Sequence, residues 1–550
     1  MSQRKPYILA IDAGTTSSRA ILFDHDGVPV SIGQHEFPQY FPQEGWVEHD
    51  PIDIWKTQRK AILDALEGAN ATLDQIHAIG VTNQRETTVL WDRATGEPVH
   101  RAIVWQDRRT AGVCDQLRDQ GHAEMFHKKT GLILDAYFSG TKIAWILDQD
   151  PELRTRAEAG ELCFGTVDSW LIWHLTGGQS HVTDVTNASR TLAFNIHELQ
   201  WDDELCDLLR IPTTVLPKVV SSSERCAHLD PASLGFTDAP TGAPIDTSTD
   251  APTEASTDAP TNGSSADSNP DTTTSTSTQI PIAGIAGDQQ AALFGQLCLS
   301  PGELKNTYGT GCFTMMNIGE TPVLSEHNLL TTVAYQLGPQ SKPVYALEGS
   351  IFVAGALVQW LRDQLEMITQ SSDIEPLAKT VEHAGGITFV PSLSGLAAPY
   401  WNPLATGALM GLTRGTEKGH IARAALEGIA HRVREVVELM LKDAGKALPG
   451  LSIPALKVDG GAAQNNLLMQ IQADLLNAPV VRPQITELTA FGAAALAGLA
   501  TGYWSSPESL QSIWNEERTF EPSPSEHTKR SLNLWQRRIQ AVNSDHESVG

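Results

Sequence analysis

Over the first hundred residues, apolar positions come in strand-length runs separated by polar turns. Ile8-Leu9-Ala10-Ile11 ends in Asp12, and Gly14 permits a tight turn. Hydroxyl side chains follow from Thr15 to Ser18, and Ala20-Ile21-Leu22-Phe23 forms a second run closed by Asp26-Gly27. The pattern predicts a β-hairpin, with a third strand over 28–37. At Asp50-Pro51 the period changes: Ile54, Ile62, Leu63 and Leu66 share one helical face behind a helix-starting proline. Strand character returns over 76–91 and briefly at Ile103-Val104-Trp105; helices are predicted over 141–147 and 169–175. Leu304 to Phe313 repeats the opening theme of strand, Gly/Thr turn and strand, a hint of internal duplication. A helix over 421–441 buries Ala422, Ala425, Leu426, Ile429, Val433, Val436 and Met440. A strand over 456–459 leads through Gly460-Gly461 to a helix over 462–476, and the Ala/Gly-rich stretch 491–499 suits a closely packed helix. Strands alternating with helices predict an α/β protein.

One stretch breaks the pattern. From Thr237 to Gln279 the chain carries Thr-Asp-Ala-Pro three times, six Asp and one Glu, and no Lys, Arg or aromatic residue. Such a segment cannot offset the entropy of ordering and is expected to be a disordered acidic Ser/Thr/Pro insert. The chain of 550 residues is too long for one core, so two large domains are expected. The net charge of -26 without clustered cations argues against nucleic acid as a partner. No apolar run reaches membrane-spanning length, and the N-terminus enters a strand without a signal-peptide core. Six scattered cysteines lack metal-ligand spacing and fit reduced thiols in a cytoplasm.

If a nucleotide binds, some device must hold its phosphates. No GxxxxGK[ST] is present, and no GxGxxG opens a helix after a strand. What remains is two Gly/Thr turns, Gly14-Thr15-Thr16 and Gly309-Thr310-Gly311, one in each half. Facing each other across a cleft, their amides and hydroxyls would cradle a polyphosphate, with Asp12 as a ligand for Mg2+, usually through water. Gly460-Gly461 would let a flat purine or ribose approach the backbone. Each of these also reads as a plain turn.

The motifs Gly14-Thr15-Thr16-Ser17-Ser18-Arg19, Gly45-Trp46-Val47-Glu48-His49-Asp50, Thr82 through Thr88, Tyr137 through Lys142, Gly284 through Gly295 and Asn306 through Phe313 resemble those of the glycerol kinases in the FGGY carbohydrate kinase family. The resemblance covers nearly all of the chain except the insert and the last stretch. It implies the actin-like ATPase fold: two ribonuclease-H-like domains, 1–295 on the glycerol side and 296–550 on the nucleotide side, with ATP and substrate in the cleft between them. It also implies transfer of the γ-phosphoryl of ATP to glycerol, giving sn-glycerol 3-phosphate. Residue by residue, Arg85, Glu86, Tyr137, Asp288 and Gln289 would bond the hydroxyls, and Trp105 and Phe313 would wall the carbon chain. Asp288 would be the base; a helix N-terminus makes it a weak one, which a loose transition state tolerates. Thr15, Thr16, Ser17 and Arg19 would hold phosphates on one side and Thr310 on the other. Gly355, Gln359, Gly461 and Asn465 match nucleotide-contact positions, and Mg2+ would sit between Asp12 and Asp288. Relatives form homodimers and homotetramers, so self-association is expected.

From the residues alone, Arg85-Glu86 reads as a surface ion pair and Asp288 as a helix N-cap. Another FGGY sugar or polyol kinase, or an actin- or chaperone-like nucleotide switch, are the alternatives. Ala13 stands where many relatives carry Gln, with little effect expected. Some bacterial relatives bind fructose 1,6-bisphosphate through a Gly-rich basic loop where this chain has its acidic insert, so that inhibition is not expected here.

Overall fold

The computed structural model describes residues 6–236 and 279–544. The acidic insert expected at 237–279 therefore lies outside the described residues, apart from Gln279.

The opening hairpin forms as the alternation predicts. Strands β1 (Tyr7–Ala13) and β2 (Ser17–Phe23) are antiparallel, and β3 (Pro29–Glu36) continues the meander. With β4 (Ile76–Asn83), β5 (Ser223–His228) and β6 (Pro281–Gly287) they make a six-stranded sheet in the order β5-β6-β4-β1-β2-β3. Helix α1 (Pro51–Gly68) covers one face. Asp50 caps it by accepting from the Ile52 amide at 2.9 Å, and Ile54, Ala61, Ile62 and Ala65 are buried.

The second sheet contains β7 (Leu304–Tyr308), β8 (Cys312–Gly319), β9 (Leu330–Tyr335), β10 (Val344–Ile351), β11 (Leu456–Asp459), β12 (Val480–Pro483) and β13 (Glu516–Phe520), ordered β9-β10-β8-β7-β11-β12-β13. The repeated strand–turn–strand theme reflects a repeated plan. In each sheet a central strand (β1 or β7) pairs antiparallel with its hairpin partner and parallel with a later strand (β4 or β11). Each sheet continues through a further parallel strand to an antiparallel edge. Both Gly/Thr turns thus occupy the same place in their sheets.

Helix α2 (Asp288–Gly295) leaves β6 directly, and α3 (Gly355–Asp363) follows β10. The long helix α4 (Lys418–Ala447) packs on the second sheet and on α5 (Asn466–Leu476). The Ala/Gly-rich stretch becomes α6 (Leu488–Thr501), which crosses back to pack on β4, β6 and α2 of the first lobe. Its approach is close: a Cβ on Gly80 would lie 2.2 Å from the Ala493 carbonyl oxygen, and one on Gly492 would lie 1.9 Å from that of Ala291. Small residues on both sides are the condition for this contact.

Two sequence expectations differ in detail. The strand predicted over 76–91 is broken after Asn83 and resumes as a separate strand at Val89–Asp92; between them Glu86 takes a left-handed φ of 60°, which turns Arg85 and Glu86 into the interior. The helix predicted from 462 starts at Asn466 after a single tight turn, because Asn465 caps it by accepting from the Leu468 amide at 2.9 Å.

Candidate active site between the two lobes

The first Gly/Thr turn is closed by the Gly14 amide donating to the Ser17 carbonyl at 2.9 Å. Neighbours of the Gly45–Asp50 motif brace it. Gln39 Nε2 donates to the Thr15 carbonyl at 3.0 Å, and Gln84 Nε2 to that of Gly14 at 3.1 Å. His49 joins the two glutamines, with Nε2 2.7 Å from Gln39 Oε1 and Nδ1 3.4 Å from Gln84 Nε2. Burial pushes the His49 pKa down to about 4. A neutral imidazole has one donor and one acceptor, which these two contacts require. Within the turn Thr16 is exposed, while Ser17 is buried and accepts from Gln34 Nε2 at 3.3 Å. The Thr15 hydroxyl accepts from Trp105 Nε1 at 3.1 Å, joining the phosphate turn to the predicted glycerol wall. Arg19 pairs with Glu487, the residue before α6, at 2.7 Å.

Asp12 stands at the end of β1, beside this turn. Burial raises its pKa to about 6; Arg19 opposes the shift, while the carboxylates of Asp288 and Glu487 add to it. The two predicted magnesium ligands therefore lie within each other's field. Among the described residues no group of three or more His, Cys, Asp or Glu side chains is arranged to hold a metal. Two hard carboxylates without a full protein cage suit Mg2+, which is normally completed by water and phosphate oxygens.

The second turn is tied to the start of α3. Thr310 O accepts from the amides of Ala354 and Ala356, and Gly309 O from that of Gly355 at 3.0 Å. A Cβ on Gly355 would lie 2.6 Å from that Gly309 oxygen, so the contact needs glycine. Thr310 and Gln359 are exposed. Gly460 has φ 85°, and a Cβ there would lie 2.5 Å from the Tyr308 carbonyl, whereas Gly461 faces open space. Both glycines line a cavity of about 280 Å³ that Arg19 and Glu487 also line. Asn465, predicted to contact nucleotide, uses its side-chain oxygen to cap α5.

Between the turns lies a buried charged cluster. Arg85 and Glu86 are 2% and 1% exposed, so they are no surface pair. Arg85 Nε lies 3.1 Å from Asp288 Oδ1 and 3.9 Å from Glu86 Oε1, and its Nη2 donates to the Tyr137 hydroxyl at 3.5 Å. Burial raises the Glu86 pKa against the pull of Arg85 and Arg190. Asp288 is the first residue of α2, and Gly287 is its cap; the Asp288 carboxylate accepts from the Gln289 amide at 2.7 Å. Gln289 Oε1 accepts from Lys305 Nζ at 2.5 Å. The aromatic walls come from both lobes: the rings of Trp105 and Tyr137 are 5.7 Å apart, and Phe313 of β8 is 6.3 Å from Trp105. The predicted hydroxyl partners and walls are therefore gathered into one place from distant segments.

Three residues of this cluster escaped the sequence reading. Glu348 on β10, fully buried, takes both Nη atoms of Arg85 at 2.6 and 2.9 Å. Burial pushes its pKa up, but Arg190 and Arg85 bring it down to about 2. Arg190, also fully buried, donates from Nε to Glu86 at 2.7 Å. Lys305 supports Gln289. A lone charge in an apolar strand, as Glu348 is in Val344–Ile351, was the available signal.

Sequence profiles of the FGGY family of carbohydrate kinases match this chain over residues 7–248 for the N-terminal domain and 304–501 for the C-terminal domain. The chain belongs to the FGGY family of carbohydrate kinases. This FGGY kinase is 52% identical over 535 residues to a glycerol kinase of Dechloromonas aromatica, covering 97% of each chain. It is 51% identical over 534 residues to one of Deinococcus radiodurans, again covering 97% of each. Its fold superposes on the crystal structure of Plasmodium falciparum glycerol kinase with ADP at a TM-score of 0.84, with 33% identity and 98% of each chain covered. A gluconate kinase of Lactobacillus acidophilus shares the fold at a TM-score of 0.80 but only 22% identity. The FGGY kinase thus has the two-lobed actin-like ATPase architecture. Among the described residues no helix is long and apolar enough to cross a membrane.

Proposed function

We propose that this chain transfers the γ-phosphoryl of ATP to glycerol, giving sn-glycerol 3-phosphate and ADP. The observation that carries the reading is the buried Arg85, Glu86 and Gln289 with the part-exposed Asp288 beside the Trp105 and Phe313 rings, between the two Gly/Thr turns. A polyol of three carbons has hydroxyls for each charged partner and a short carbon chain for the aromatic walls. A substrate lacking one hydroxyl leaves a buried charge unpaired, which is how such a site discriminates.

Asp288 accepts the proton of the attacking hydroxyl as its oxygen bonds phosphorus and ADP leaves in line; Arg85 Nε at 3.1 Å orients the carboxylate. The Gly14–Ser17 and Gly309–Gly311 turns, with Arg19, hold the phosphates from opposite sides. Asn465 meets nucleotide through its amide nitrogen, since its oxygen caps α5. Gly355, Gln359 and Gly461 flank the nucleoside. When bound between Asp12 and Asp288, Mg2+ supplies charge neutralisation of the phosphate oxygens. Closing the lobes excludes water and so suppresses hydrolysis of ATP. We take the lobes to divide near 295/296, with α6 returning to the first. The chain acts as a homodimer or homotetramer, and the six free cysteines fit a reducing cytoplasm.

The test is ADP release with MgATP and a panel of glycerol, dihydroxyacetone, xylulose and gluconate. Glycerol should give the highest kcat/KM. Preference for a longer substrate would make this another FGGY kinase, and ATPase indifferent to all four would point to a nucleotide switch.

A further inference from the structure

We propose that Glu348, from the second lobe, is a positioning residue that holds the glycerol-binding arms of the first lobe. The inference rests on the glycerol reading above.

Glu348 is the one charged side chain in the strand Val344–Ile351, and it is fully buried. Burying a carboxylate is costly unless it is paired, so its partners are the reason it is there. It takes Arg85 fork to fork and also accepts from Arg190 Nη2 at 3.2 Å. Arg190 Nε bonds Glu86 at 2.7 Å, and Glu86 lies 3.9 Å from Arg85 Nε. Cations and anions therefore alternate around a closed ring of Arg85, Glu348, Arg190 and Glu86. Two of its members are assigned to glycerol; the other two hold them from behind.

Removing the Glu348 charge would leave two buried guanidinium groups with Glu86 shared between them and Asp288 beside Arg85. The Nη edge of Arg85 would then be drawn to Asp288, whose carboxylate already lies 3.1 Å from Nε. A fork-to-fork pair with Asp288 would engage the oxygen needed to accept the hydroxyl proton. Glu348 thus fixes Arg85 and keeps Asp288 available. Because Glu348 belongs to β10 and Arg85, Glu86 and Arg190 to the other lobe, the glycerol arms are set only when the lobes are together.

Glu348→Gln keeps the shape and loses the charge. Its glycerol Kd by calorimetry without nucleotide, and its glycerol KM, should both rise about 10- to 100-fold, the loss expected for charge-assisted bonds. The KM for MgATP should stay within about threefold. Arg190→Lys, which keeps charge but not the fork, should also raise the glycerol KM selectively. A merely structural role would lower Tm and weaken both substrates alike. An unchanged glycerol Kd in folded Glu348→Gln, or equal losses for glycerol and ATP, would overturn the assignment. If that variant does not fold, an unchanged glycerol KM in Arg190→Lys overturns it instead. Wild-type protein that binds and turns over glycerol while Glu348→Gln is unaffected defeats this inference alone. Wild-type protein inert to glycerol defeats both readings.

Discussion

Replacing Asp288 by Asn separates chemistry from binding and from stability. The amide is isosteric and can still accept from the Gln289 backbone at the 2.7 Å position. It cannot take a proton from the attacking hydroxyl. General-base contributions are about 10²- to 10⁴-fold, or roughly 3–5 kcal/mol of barrier. The stability cost is smaller. At 3.1 Å the Asp288–Arg85 attraction is about 5 kcal/mol at an effective dielectric of 20 and about 1 kcal/mol in water. Asp288 is 32% exposed, so the lower end applies. Arg85 also keeps its two bonds to Glu348, so no buried cation is orphaned. The expected result is a kcat lower by at least about 100-fold in a coupled ADP-release assay. Calorimetric Kd values for ATP should change by no more than a few-fold, and the unfolding free energy by about 1 kcal/mol. A variant retaining more than about a tenth of wild-type kcat would refute Asp288 as the base. A loss of activity matched by loss of ATP binding would assign the effect to its contact with the metal–nucleotide rather than to base catalysis.

Gly460→Ala must fit a Cβ 2.5 Å from the Tyr308 carbonyl at a left-handed φ, so it should cost about 2 kcal/mol of stability and raise the MgATP KM. Its glycerol Kd should be unchanged, and a comparable loss for both substrates would contradict the nucleotide role of this turn. Thr15→Val removes both a phosphate donor and the acceptor of Trp105 Nε1, so the ATP KM should rise strongly and the glycerol KM about two- to tenfold. No change for glycerol would show that the Thr15–Trp105 bond does not link the sites. Because His49 stays neutral until about pH 4 while an unfolded histidine protonates near 6.5, its contribution is intact above pH 6.5 and lost as pH falls to about 4. That amounts to about 3 kcal/mol, and His49→Gln should remove this part of the pH dependence in urea unfolding at pH 7 and 4.5; equal slopes would contradict it. Fructose 1,6-bisphosphate should leave the rate unchanged, and inhibition abolished by deleting residues 242–275 would place an anion site there after all.

The hairpins, the major helices and the α/β class were legible because each rests on local pattern: alternation, a proline after Asp50, glycine where a turn or close contact needs it. The first turn and its apolar strands were visible from Ile8 to Phe23 alone. The site was legible only by resemblance. Nothing in the spacing of Arg85-Glu86 distinguishes a buried pair from an exposed one, and locally the exposed reading was the reasonable one.

What the sequence determined by itself is therefore the set of elements and the duplicated strand–turn–strand plan, since these depend on neighbours within a few residues. What the tertiary structure decided is which charges meet. Arg85, Arg190, Asp288 and Glu348 are separated by up to 263 positions in the chain, yet they share one buried cluster. Apart from the lone charge of Glu348 in its apolar strand, their side chains carry no local mark of that meeting, because the cost of burying each charge is offset only by partners that the folding of both lobes brings beside it.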